Sequence, residues 1–161
     1  MPIANGTRAF YTTLREIWTE ATPPAGVIFD KAGKIYGTTP ASLNGFGGGT
    51  VFQLEPSRDT TWTQSVLYSF LNRSDGGQPY AGLIFDGSGN LYGTTAAGGT
   101  GNGGTAFELT PTDGGWAYKL VNAFNGSNFL GPDGGLLMDK AGNLYGTTLR
   151  GAAATWGRCS N

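Results

Sequence analysis

The hexapeptide Asn90–Thr95 reads NLYGTT, returns unchanged at Asn143–Thr148, and returns as KIYGTT at Lys34–Thr39. Each copy follows an Asp-x-x-Gly turn at the same distance, so that Asp30, Asp86 and Asp139 stand six residues before Tyr36, Tyr92 and Tyr145. Tyr and Thr favour strands, whereas Asp and Gly favour tight turns. The short apolar runs before each turn, VIF, LIF and LLM, make a hairpin the natural reading of each copy. These runs are apolar at consecutive positions, which predicts strands buried on both faces. No amphipathic helical pattern is present to supply the cover, so sheets stacked on sheets must do so.

Outward from the hairpin, residues 23–70 and 79–124 are two long copies of one unit, and a third opens at Pro132. The period is 56 and then 53 residues between the tyrosines, 55 from Phe52 to Phe107, and 54 from Trp62 to Trp116. The second copy divides into four strand-length runs, AGLIFD, NLYGTT, TAFELT and AYKLVNAF, separated by turn residues and by the glycine-rich AAGGTGNGG. Four short strands per unit at this period predict an all-β, propeller-like fold of about two and a half blades. The expected organisation is an N-terminal segment at 1–22, blades at 23–78 and 79–131, half a blade at 132–150, and an off-pattern tail at 151–161. Within the first segment, Thr13–Trp18 is read as the outer strand of a preceding blade. After Thr148 the expected third strand does not follow in frame. One choice of codons for Trp156–Asn161, shifted by two letters, spells Gly-Thr-Val-Phe-Lys, so a frameshift near Ala152 is expected, with Cys159 an accident of it.

The combination P-x-x-G-L-I-x-D-x-x-G-N-L-Y-G-T-T, followed by a glycine-rich loop and G-T-x-F-x-L, resembles the GloVer tandem repeat over residues 23–150. That is a glycine-rich, propeller-like repeat of bacterial proteins often described as choice-of-anchor surface proteins. The D-x-x-G-N-L-Y hairpin is more distantly similar to NHL and gluconolactonase-like propellers. The resemblance implies an extracellular or cell-surface location, and it carries over no catalytic residue.

Composition narrows the chemistry further. The chain of 161 residues has 29 Gly, no His, one Cys and 13% charged residues, against about 25% in ordinary domains. Without His, the commonest general base and metal ligand is absent. The net charge of −1 and the lack of a basic cluster exclude nucleic acid as an expected partner. No apolar stretch reaches the roughly 20 residues of a membrane span, and the N-terminus holds no run of signal-peptide length. The segment Gly99–Gly104 formally fits G-x-G-x-x-G, but strand-like TAFELT follows it where a dinucleotide site needs a helix.

The repeated side chains supply the candidate site residues. Asp30, Asp86 and Asp139 either cap their own hairpins, which recurrence in every blade favours, or face one another and hold Ca²⁺. Tyr36, Tyr92 and Tyr145 either pack between sheets or line a sugar-binding surface. Trp62 and Trp116 head the outermost strands and are the expected exposed aromatics, able to stack on a glycan or to cover a turn. No cofactor is expected apart from that Ca²⁺. The pattern points to a non-catalytic scaffold whose loops contact protein or carbohydrate. The alternatives are a lactonase-like or glycan-processing enzyme with channel-mouth carboxylates, or a truncated product without activity. Uncovered blade faces are expected to bind other blades or to make the isolated chain self-associate.

Overall fold

The Asp-x-x-Gly turns close hairpins because their backbone and their carboxylates act together. In each turn the Asp N–H donates to the carbonyl four residues on, Asp30 to Lys34, Asp86 to Asn90 and Asp139 to Asn143, all at 3.0 Å. The turn glycine takes φ of +83° at Gly33, +90° at Gly89 and +81° at Gly142, in the left-handed region that other residues enter only at a cost. A Cβ added at any of the three would meet nothing within 4 Å, so the need for glycine there is conformational alone.

A computed structural model describes residues 25–40, 47–58, 61–125, 132 and 134–148, and the backbone of 154–156. The expected strand at Thr13–Trp18, Pro23 and Cys159 lie outside the described residues. The elements run β1 (Ile28–Phe29), β2 (Ile35–Thr39), β3 (Thr50–Pro56), β4 (Trp62–Ser69), β5 (Ile84–Phe85), β6 (Leu91–Thr95), β7 (Asn102–Thr112), β8 (Gly115–Asn125), β9 (Leu137–Met138), β10 (Leu144–Gly146) and β11 (Ala154–Trp156). Strands β1 to β4 form one antiparallel sheet in chain order, and β5 to β8 a second. A third sheet pairs β9 with β10, and β11 lies along the other edge of β10. No helix occurs among the described residues, so none is long and apolar enough to cross a membrane.

Strand β11 pairs with β10 beyond Thr148, where the repeat motif no longer continues in the sequence. It sets Ala154 opposite Gly146 and Trp156 opposite Leu144, the places that Phe52 and Leu54 hold against Gly37 and Ile35 in the first sheet. A strand edge recruits its neighbour through backbone N–H and C=O groups, which do not read side chains. The motif is lost there while the pairing survives.

Adjacent sheets stack with opposite faces in contact. Tyr36, Val51 and Phe70 of the first repeat share one core with Leu83, Leu91, Phe107 and Leu109 of the second. Tyr92 of the second shares another with Leu136 and Leu144 of the third. Leu83 therefore points back to the first sheet and its neighbour Ile84 forward to the third, which is why the run GLIF is apolar at every position. Full burial of side chains such as Phe107 and Leu91 stabilises by about 1.5–3 kcal/mol each.

The Gly of YGTT has a different role from the turn glycine. Gly93 stands opposite Phe107, and a Cβ on it would lie 2.6 Å from that ring and 2.8 Å from Leu83. Gly37 stands opposite Phe52, at 2.7 Å. Gly93→Ala is expected to destabilise the chain by about 1–3 kcal/mol through overpacking. In urea denaturation, adding Phe107→Leu should recover part of that loss, and strictly additive losses would show that the ring does not set the constraint.

The two threonines after that glycine also divide. Thr38 Oγ1 donates to the Ala81 carbonyl at 3.1 Å and so ties the first repeat to the second, whereas its counterpart Thr94 Oγ1 is buried with no hydrogen-bond partner among the described residues. Thr38→Val should cost about 1 kcal/mol, and Thr94→Val should be neutral or stabilising. Equal losses in thermal melts of the two variants would contradict this.

Candidate functional site

Strand alternation in the antiparallel sheets puts the β1–β2 and β3–β4 turns, with their repeats, at one end of the stack. The glycine-rich loops and the connectors between sheets lie at the other.

At the first end each Asp is engaged within its own hairpin. Asp30 Oδ1 accepts from the Ala32 and Lys34 amides at 2.9 Å, and Oδ2 from the Tyr36 hydroxyl at 3.1 Å. Asp86 accepts from the Ser88 and Asn90 amides, from Asn90 Nδ2 at 2.7 Å and from the Tyr92 hydroxyl at 3.4 Å. Asp139 repeats the set with Ala141, Asn143 and the Tyr145 hydroxyl at 3.0 Å. Lys34, which replaces the Asn of the other copies, cannot supply the side-chain amide, and its Nζ pairs instead with Glu55 at 3.2 Å. Among the described residues no three His, Cys, Asp or Glu side chains gather closely enough to hold a metal ion.

These contacts move the two kinds of group apart in acidity. Burial raises the Asp86 carboxyl, but hydrogen bonds from the Asn90 side chain and from the Asn90, Ser88 and Gly89 backbone outweigh it and lower the pKa. The Asn143 side chain, followed by its backbone amide, holds Asp139 down to about 2. Desolvation and then the Asp30 hydrogen bond push the Tyr36 phenol well above its ordinary value, and the Asp139 hydrogen bond raises Tyr145. Carboxylates held ionised and phenols held protonated are tuned away from proton transfer near neutrality.

The aromatic candidates sit between sheets more than on the surface. Tyr36 and Tyr92 are buried, while Tyr145 is partly exposed. Trp62 and Trp116, expected as exposed aromatics, are half-buried. Trp62 packs against Ile35, Phe52 and Leu54, and Trp116 meets Tyr36 at a centroid distance of 6.1 Å. In register, Trp62 stands opposite Pro56 and Trp116 opposite Pro111.

Two carboxylates missed by the repeat pattern are unique to one copy. Glu108 is buried in β7, where Lys119 Nζ lies 3.0 Å from Oε2 and Thr110 donates to Oε1 at 3.3 Å. Asp75, in the connector between the first two sheets, accepts from the Leu71 amide at 2.8 Å, the Arg73 amide at 3.2 Å and the Tyr68 hydroxyl at 3.2 Å. Its carbonyl accepts from the Tyr118 hydroxyl at 2.8 Å, and Tyr118 stacks on Tyr68 with centroids 4.5 Å apart. The connector is bound further to the glycine-rich loop: the Gly99 amide donates to Arg73 O at 2.7 Å, and Gly77 bridges Ala97. Asn72, Gln78 and Asn102 all adopt positive φ at this end. Side chains of Leu71, Asn72, Arg73 and Ser74 are left exposed on a backbone held from both sides.

Residues 3–159 match a family described as the Gloeobacter/Verrucomicrobia repeat. The chain belongs to that family. A comparison with curated proteins finds none that matches it. The extent of the Gloeobacter/Verrucomicrobia repeat match takes in β11, in keeping with the pairing of that strand in repeat register.

The depressed carboxyls make a pH test of the hairpins. A carboxylate whose folded pKa lies below its unfolded value of about 3.9 adds stability above that value and loses it as pH falls toward the folded one. For Asp139 that window runs from about 4 down to about 2. Carbon-detected NMR titration should place the Asp139 carboxyl low, and Asn143→Ala should bring it up toward the ordinary range. An unchanged titration in that variant would remove the amide as the main cause.

Proposed function

We propose that the chain is a non-catalytic, propeller-like repeat segment of a bacterial surface or secreted protein, and that its loops make contacts with protein or carbohydrate. One observation carries this reading: the only carboxylates and phenols that recur in every repeat are hydrogen-bonded to one another inside their own hairpins. Groups spent on closing turns are not free to activate water or a substrate. The sheets follow one another as blades do, each covering the next, and the chain's short strands and tight turns suit that architecture. The surface location rests on the character of the resembled family.

The exposed stretch 71–74 is the best-formed contact surface in this reading. It combines an apolar side chain, an amide and a guanidinium on a loop braced by Asp75, and a braced loop loses little entropy on binding. The resembled lactonase-like propellers supply the competing enzymatic reading. The full chain, assayed against lactones and glycosides with and without calcium, is expected to show no turnover above buffer. Turnover that disappears in Asp86→Asn would overturn the scaffold reading.

A further inference from the structure

Tyr68 of β4 and Tyr118 of β8 meet across two different sheets, and each departs from the repeat. Tyr68 stands opposite Val51, where the second sheet sets Asn122 opposite Ala106. Tyr118 stands opposite Leu109, where the first sheet sets Gln64 opposite Leu54. The pair is therefore specific to this junction. Its half-buried rings stack with centroids 4.5 Å apart and planes 18° from parallel. One residue holds both hydroxyls: Tyr68 donates to Asp75 Oδ2 at 3.2 Å, and Tyr118 donates to the Asp75 carbonyl at 2.8 Å. The ring carbons ortho to the two hydroxyls are thereby gathered at the same end of the stack.

We propose that Tyr68 and Tyr118 form a site of oxidative cross-linking, at which a one-electron oxidant joins them as dityrosine and ties β4 to β8 covalently. Each phenol gives up one electron and its hydroxyl proton. The two phenoxyl radicals couple through a carbon ortho to each oxygen, and the hydrogen on each of those carbons then moves to the oxygen, which restores both phenols. One carbon–carbon bond is formed, two equivalents of oxidant are reduced, two protons are released, and the chain loses two hydrogens. Burial pushes both phenols up to about 12, so near neutrality each starts protonated and its oxidation has to shed a proton. The Asp75 carboxylate lies in place to receive the one from Tyr68. Ring contact within one chain makes the coupling an intramolecular step, which proximity favours over encounter between chains.

Photolysis of the dilute full chain with a ruthenium tris-bipyridyl complex and persulfate, which takes up the electrons as sulfate, supplies the oxidant. The expected result is blue dityrosine fluorescence, an intact mass lower by two hydrogens, and, after proteolysis, a peptide pair joined through Tyr68 and Tyr118. Tyr68→Phe and Tyr118→Phe keep a ring at each place in the stack, and each should lower that signal about tenfold or more. Tyr145→Phe removes a more exposed phenol and should leave the signal unchanged. The mapped link in the wild-type chain decides the matter even where a variant folds poorly. An intact mass without the loss, a link between other tyrosines or between two chains in place of this one, or a signal that survives Tyr118→Phe would each overturn the proposal.

Discussion

The ring of Phe107 lies so close over Gly93 that one added carbon would stand 2.6 Å from it, and the same holds for Phe52 over Gly37 at 2.7 Å. This contact lets a large aromatic side chain sit flat against its own sheet. The face that results is smooth enough for the previous sheet to close on it, with Phe70 meeting Phe107 at a centroid distance of 5.1 Å. A side chain at the glycine would lift the ring and separate the layers. Stacking of this kind makes each repeat depend on the next, as in other quasi-one-dimensional folds.

The hairpin carboxylates illustrate how recurrence can be misread as a repeated active site. Asp, Asn and Tyr in fixed positions are the residue types that acid–base chemistry uses, yet here the Asp gathers two backbone amides, an Asn amide where one is present, and a phenol. Every one of those donors favours the ionised carboxylate, and the carboxylate in turn favours the protonated phenol. In the third hairpin Asp139 is pushed down and Tyr145 up, and both shifts run against proton transfer at neutral pH.

Departures from the repeat are as informative as the repeat. Lys34 cannot act as Asn90 and Asn143 do, and it pairs with Glu55, so the first hairpin gains a link to β3 in place of an amide inside the turn. Asp75 binds the connector, Tyr68 and Tyr118 together at one junction. Tyr118 stands where the first repeat has Gln64, so that junction is not a copy of any other.

Much of the architecture was legible in the letters themselves. Strand period, turn chemistry and repeat spacing act over a few residues, so Asp-x-x-Gly, YGTT and the four apolar runs announced all-β sheets of four short strands, and Asp30, Asp86 and Asp139 announced their hairpins. What lies across space was not legible. The strand at Ala154–Trp156 forms because an open edge pairs by backbone alone. The half-burial of Trp62 and Trp116 depends on the clusters they pack against, Ile35, Phe52 and Leu54 for one and Tyr36 for the other. The hub at Asp75 joins groups up to 43 residues apart. The difference in exposure between Tyr145 and its two counterparts was decided only by whether another sheet lies over the ring, because burial is a property of neighbours and identical residues acquire it only from what packs against them.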